Sequence, residues 1–353
     1  MNLSKTLFCL ALLATSNAFA DAGKAYVTNQ DGGVTVIDLA TMESTGNIDI
    51  QATGPRGIGV TTDGKYLITA NKDEGTISVV TLADNTVKKI PVGKNPEFVR
   101  VYKGLVFVST EPSSKGGPPP KPSEAAKPEA ADDDNEAPVP ARIAVVDLKR
   151  SKKIREITGG PETEGIEFSK DGKQIIITNE ADNTVTVHSY KTGKLLKTIK
   201  TTVYGDRPRG IKVSPNGKNY VATLEFGNNF IVLDKNFKHL KTVTTPEAPY
   251  GVSFDNKGEK LYVASSKGQR LTVFDTKTWN EIKQIEVGKR CWHFSFTPDD
   301  KNLLLACGKS DEILVIDTEK LEVTKHIEDK QLPWGVVTYP KSMGSLDTKL
   351  KWF

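Results

Sequence analysis

Cys291 and Cys307 enclose a stretch that opens Cys291-Trp292-His293, and these residue types support two chemistries. A hairpin turning near Asp299 and Asp300 would bring the two thiols almost opposite each other, and in an oxidising compartment they would close a disulfide. Kept reduced, two thiolates with His293 between them would make a soft ligand set for copper, zinc or haem iron. Both readings are open from the residues alone. A second group is dispersed along the chain: Arg56, Glu97, Glu164, Arg209, Tyr250, Trp292 and Trp334. Gathered in one place, these two cations, two carboxylates and three aromatics would stack a planar ligand and clamp a carboxylate through Arg. They would equally well pair with one another and leave only a solvated collar.

What gathers them is a repeat of about 42 residues. Each copy opens Pro-x-Gly and alternates apolar with polar residues. It then turns at Asp-Gly-Lys or a variant, runs through a second strand and a polar loop, ends a third strand at Asp, and adds a fourth. Pro208-Arg209-Gly210 with Asn216-Gly217-Lys218 and Phe230 to Asp234 shows the full pattern. The third residues of the openings are Gly57, Phe98, Gly165, Gly210, Gly251, His293 and Gly335, at steps of 41, 67, 45, 41, 42 and 42 residues. The last opening reaches the C-terminus without a unit after it, while Tyr26 to Asn29, Val34 to Asp38 and Ile48 to Ile50 read as strands two to four of a unit lacking its first. β-Branched alternation and Asp-Gly turns argue for hairpins throughout. The expectation is an all-β chain: a seven-bladed β-propeller of four-stranded antiparallel blades, with the C-terminal strand completing the N-terminal blade and so removing two open sheet edges. In that topology the dispersed residues, each one position before a marker, ring one mouth of the central channel, with His293 beside them.

The N-terminus reads as an export signal: Lys5, an apolar or small run from Thr6 to Thr15, and a small-x-small site at Ala18-Phe19-Ala20. Residues 1–20 are therefore expected to be removed and residues 21–353 to form one domain in the periplasm, without a membrane span. Cys9 falls inside the apolar run, not at its end, which argues against a lipid anchor. A net charge of +4 without clustered basic residues excludes phosphate tracking along nucleic acid. The long third step holds an insertion at about 111–141, rich in Pro, Ala and charge, which cannot bury a core and reads as an extended loop on the same face as the ring. No Ser-His-Asp arrangement, phosphate loop or His-x-x-x-His pair is present. Asp38, Asp147, Asp234, Asp275 and Asp317 read as turn caps.

The segment Tyr26-Val27-Thr28-Asn29, with Ile176-Ile177-Thr178-Asn179 and Leu67 to Asn71 as variants, resembles the YVTN β-propeller repeat family. The closing Pro333-Trp334-Gly335-Val336-Val337-Thr338-Tyr339-Pro340-Lys341-Ser342, followed by Gly344 to Asp347, is similar to the exported subgroup associated with catabolism of alcohols by pyrroloquinoline-quinone (PQQ) dependent dehydrogenases. That resemblance implies a non-catalytic binding or scaffold propeller. Its partner would be a quinoprotein dehydrogenase, a cytochrome or a transport component, and a small acidic or aromatic ligand would suit the ring. No resident cofactor is expected, with PQQ, haem or copper as conceivable ligands. The alternatives are metal or haem handling through Cys291, His293 and Cys307, and a lactonase or lyase using Glu97, Glu164 or His293 as acid or base at the channel mouth.

Overall fold

The computed structural model describes residues 23–112 and 140–340. The leader at 1–20, most of the 111–141 insertion and the Gly344 to Asp347 part of the closing motif lie outside the described residues. Seven four-stranded antiparallel sheets make up the fold, with two short 3-10 turns between strands. We number the blades from the N-terminus. Blade 1 is composite: Pro333–Tyr339 pairs with Lys24–Asn29, placing Val337 opposite Tyr26 and Val336 opposite Val27, and so closes the ring. Inner strands Pro55–Val60, Pro96–Tyr102, Thr163–Phe168, Pro208–Val213, Pro249–Phe254 and Cys291–Phe296 belong to blades 2 to 7. The fourth strand of blade 1 is Glu43–Ile48, earlier than the Ile48 to Ile50 stretch that its apolar residues suggested. An outer edge strand faces water on most of its surface, so its polar residues belong to it, and only Ile48 is buried.

Among the described residues the core divides into seven apolar clusters, one at each interface between neighbouring blades. Between blades 6 and 7, for example, Tyr262 and Leu271 meet Phe296 and Leu305. Each blade thus buries its faces only against its neighbours, which lets a chain of this length avoid a single oversized core. The exposed outer strands carry Lys88, Lys89, Lys197, Lys241 and Lys283, charges that discourage edge-to-edge pairing. Third-strand Asp residues cap the next turn: Asp275 Oδ1 accepts from the Lys277 and Thr278 amides at 3.0 and 2.7 Å, and Asp317 does the same for Glu319 and Lys320.

Every inner strand slips register by one residue at the same place, between Pro208 and Ile211 in blade 5 and at its equivalents elsewhere. Such a bulge releases two residues from the ladder and re-aims their side chains. The Pro-x-Gly signature therefore marks a bulge. Its glycine is needed because the next blade approaches closely: a Cβ on Gly251 would lie 2.2 Å from the Trp292 carbonyl oxygen, and one on Gly210 2.5 Å from that of Tyr250. The Thr of the repeated Thr-Asn pair ties this bulge down. Thr178 Oγ1 accepts from the Gly165 amide at 2.7 Å and donates to the Arg209 carbonyl of the next blade at 2.6 Å. Thr28 and Thr223 repeat both bonds, and Ser109 does so more loosely.

Thr178→Val is therefore expected to cost about 2 kcal/mol, since it forfeits two buried hydrogen bonds and strands an amide. Thr178→Ser should keep most of that, as Ser109 does in blade 3. Urea unfolding midpoints measure the difference, and equal midpoints for Val and Ser would refute the clip.

Candidate functional site

The bulges deliver their first residues to one mouth of the channel, and the charged and aromatic ones separate by side. Blades 2 to 5 supply Arg56, Glu97, Glu164 and Arg209; blades 6, 7 and 1 supply Tyr250, Trp292 and Trp334. Arg56 is ion-paired with Glu97, and Arg209 with Glu164. Tyr250 crosses toward blade 4, its hydroxyl 3.2 Å from Glu164 Oε1, and the Arg209 guanidinium lies 4.8 Å from the centre of its ring. Trp334 and Tyr250 are both buried, and both pack on His293, with ring centroids 4.3 and 5.3 Å away. Trp292 does not join them. Its ring lies over Gly308 in its own blade, half exposed. Of the ring, Arg56 and Trp292 are the members that solvent reaches appreciably.

Three carboxylates and a guanidinium that the opening motif does not mark complete the collar. Glu111, Glu180 and Glu225 each follow the second strand of blades 3, 4 and 5, and Arg207 precedes the inner strand of blade 5. Arg209 reaches Glu180 at 2.5 Å and Glu225 at 2.7 Å as well as Glu164; Arg207 reaches Glu180 at 2.8 Å and Glu225 at 3.0 Å. The signal was in the repeat: Pro208 pairs with Leu224, so Glu225 lies opposite Arg207, within side-chain reach of Arg209 on the other side of Pro208, and consecutive blades place Glu there. With every Arg of the collar engaged by Glu, the carboxylate clamp expected of Arg56 and Arg209 is already filled from within the chain.

Burial dominates the proton affinities. It pushes Glu164 up to about 8, against the pull of Arg209 and with help from Glu180 and Glu97. Burial likewise raises Glu180 to about 7 despite Arg209 and Arg207. Glu111 stands well above the usual carboxylate range, through burial and then the charges of Glu97, Glu164 and Glu180. Glu225 is buried too, yet Arg209 and Arg207 hold it below its ordinary value.

Below the collar the channel is filled. Phe98 and His293 stand where five blades have glycine, and their rings meet with centroids 5.6 Å apart. Burial, reinforced by Lys212 and Arg209, drives His293 down to about 3, so the imidazole is neutral at any physiological pH. Cavities of about 40 and 30 Å³ border this plug, the first touching Phe98, His293 and Trp334, the second Glu164, Arg209 and Tyr250. Pockets that enclose organic ligands run to about 300–1,000 Å³. Neither cavity is large enough to enclose a planar organic ligand. One step deeper, Arg100, Glu167 and Lys212 of blades 3 to 5 form a buried ion cluster, with Arg100 to Glu167 at 3.0 Å and Lys212 to Glu167 at 3.8 Å.

Cys291 and Cys307 are directly opposite in the sheet and joined by a disulfide. Both sulfurs are thereby taken up, and the rings of Phe98, Tyr250 and Trp334 surround His293.

Residues 242–343 match the family of YNCE-like β-propellers. The chain is a β-propeller. No curated protein matches its sequence. Among solved structures, the hydrazine synthase of Kuenenia stuttgartiensis is similar at a TM-score of 0.70 and 19% identity, over 84% of this chain and 93% of that one. A protein of unknown function from Desulfotomaculum acetoxidans gives 0.72 and 14%, over 90% and 98%. A Bacteroides uniformis protein assigned provisionally as a 6-phosphogluconolactonase gives 0.70 and 15%, over 90% and 99%. At these identities the likeness is one of fold, and a propeller fold hosts many functions.

Proposed function

We propose that this propeller is an exported, non-catalytic binding protein that docks a partner on its channel mouth, in service of a PQQ-dependent alcohol-oxidising system in the periplasm. The observation that carries the binding reading is the bulge common to all seven blades, which starts a charged or aromatic side chain from each blade at one mouth, on an otherwise repetitive frame. The closing motif and the leader-like N-terminus supply the alcohol-oxidation and periplasmic parts of the proposal. Because the collar arginines are already paired, recognition falls to the mouth surface around Trp292 and Arg56. Native protein from cells grown on an alcohol is expected to retain a quinoprotein dehydrogenase or cytochrome, and Trp292→Ala to weaken that retention at least tenfold while leaving the melting temperature within a few degrees. Undiminished retention in the variant, or no such partner together with normal alcohol growth after gene deletion, would sink the proposal.

A second reading has its own observation. Glu164 and Glu180, at about 8 and about 7, lie where general acids and bases operate. Turnover of a lactone that disappears in Glu164→Gln, with the fold intact, would establish it over the first.

A further inference from the structure

We propose that Glu97, Glu111 and Glu164 form a binding site for one hard divalent cation, of calcium size, within the collar. One oxygen from each of these three buried carboxylates lies within 4.8 Å of the others. A cation with oxygen ligands at about 2.3–2.6 Å can touch all three without moving the backbone. Three further facts point to a cation. Glu97 Oε2, Glu111 Oε1 and the Asn95 side-chain oxygen are buried acceptors with no donor, and Asn95 is tied to Glu111 by its amide nitrogen, 3.4 Å from Oε2. Buried acceptors without a donor are costly, and a cation satisfies several at once. The five buried carboxylates of the collar, Glu97, Glu111, Glu164, Glu180 and Glu225, also outnumber Arg56, Arg207 and Arg209 by two. One divalent ion cancels that excess. Finally, the donors are carboxylate oxygens, which calcium, magnesium and manganese prefer over copper or zinc.

The test is calorimetric titration of calcium into chelator-stripped protein, with melting temperatures in chelator and in millimolar calcium at one fixed pH. We expect one site per chain, a melting temperature higher in calcium than in chelator, and at least tenfold weaker binding in Glu111→Gln. Terbium supplies a readout independent of any variant: excitation of Tyr250, beside Glu164, should sensitise its emission, and calcium should quench it by displacement. No heat, no melting shift and no sensitised emission would overturn the site. So would a Glu111→Gln protein that is more stable in chelator and as responsive to calcium as the wild type. The inference rests on the collar and not on the mouth surface, so loss of partner retention in Trp292→Ala leaves it standing.

Discussion

Glu167→Ala is expected to lower stability by about 3–5 kcal/mol, the cost of breaking a buried ion pair by removing one partner. Glu167 has no exposed surface, and its carboxylate faces Arg100 at 3.0 Å, Lys212 at 3.8 Å and the Phe168 amide at 2.8 Å. Deleting it leaves two cations, one from the blade on each side of blade 4, in a medium that screens them poorly. The informative control replaces all three groups: Arg100→Met, Glu167→Leu and Lys212→Met together should be less damaging than Glu167→Ala alone, because the cations that Glu167 neutralises leave with it. The measurement is the urea midpoint of each protein, combined with soluble yield. A single variant within 1 kcal/mol of wild type would mean that water reaches this tier and that the channel is open there. A triple variant as damaged as the single one would mean that the cluster stabilises beyond its own charges.

The seven blades, the composite closure and the placement of seven dispersed residues at one mouth were legible because a repeat announces its own geometry: turns sit at Asp-Gly or Asn-Gly, strands alternate with period two, and equivalent positions must share a ring. Partner choice was not. Phe98 and His293 lie far apart in sequence, and nothing local says that two missing glycines put two rings in contact across the channel. That Arg209 gathers three carboxylates depends on Glu225 and Glu180 lying after second strands, one register step from the position that the Pro-x-Gly marker highlights. Comparing second-strand ends as well as first-strand starts would have exposed Glu111, Glu180 and Glu225 in blades 3, 4 and 5. The same comparison two residues past each marker would have exposed Arg100, Glu167 and Lys212. The alternation of those inner strands hides the charges among apolar neighbours, as in Val99-Arg100-Val101. At Trp292 the equivalent position fixes where the side chain starts, and local space, here that over Gly308, decides where it goes.

Replacing Cys291 and Cys307 together with Ala should cost about 3 kcal/mol, the chain-entropy value for a loop of this length, the two cysteines being 16 residues apart. The position of the disulfide suggests a local effect as well. Other bulges are held by a glycine that admits the next blade, by a hydroxyl clip, or by both; blade 3 has Ser109 without the glycine, and blades 2 and 6 have the glycine with Ala70 and Ala264 at the clip position. Blade 7 has neither, with His293 at the marker and Ala306 in place of the clip. Its Cys291–Cys307 link closes the last rung before the bulge and does the holding there. Loss of the link should therefore free the Trp292-His293 bulge before the rest of the blade, separating His293 from Trp334 and changing tryptophan emission below the global melting temperature. Adding Ala306→Ser to the cysteine-free protein should recover about 1 kcal/mol by restoring a hydroxyl at the clip position. Because both sulfurs are taken up in the disulfide, thiol reagents should label neither Cys291 nor Cys307 in the folded protein, and both should react after reduction in denaturant. If the cysteine-free protein melts in one transition with unchanged emission and gains nothing from Ala306→Ser, the disulfide acts only on the unfolded chain, and the bulge of blade 7 is held by the packing of His293 against Phe98, Tyr250 and Trp334.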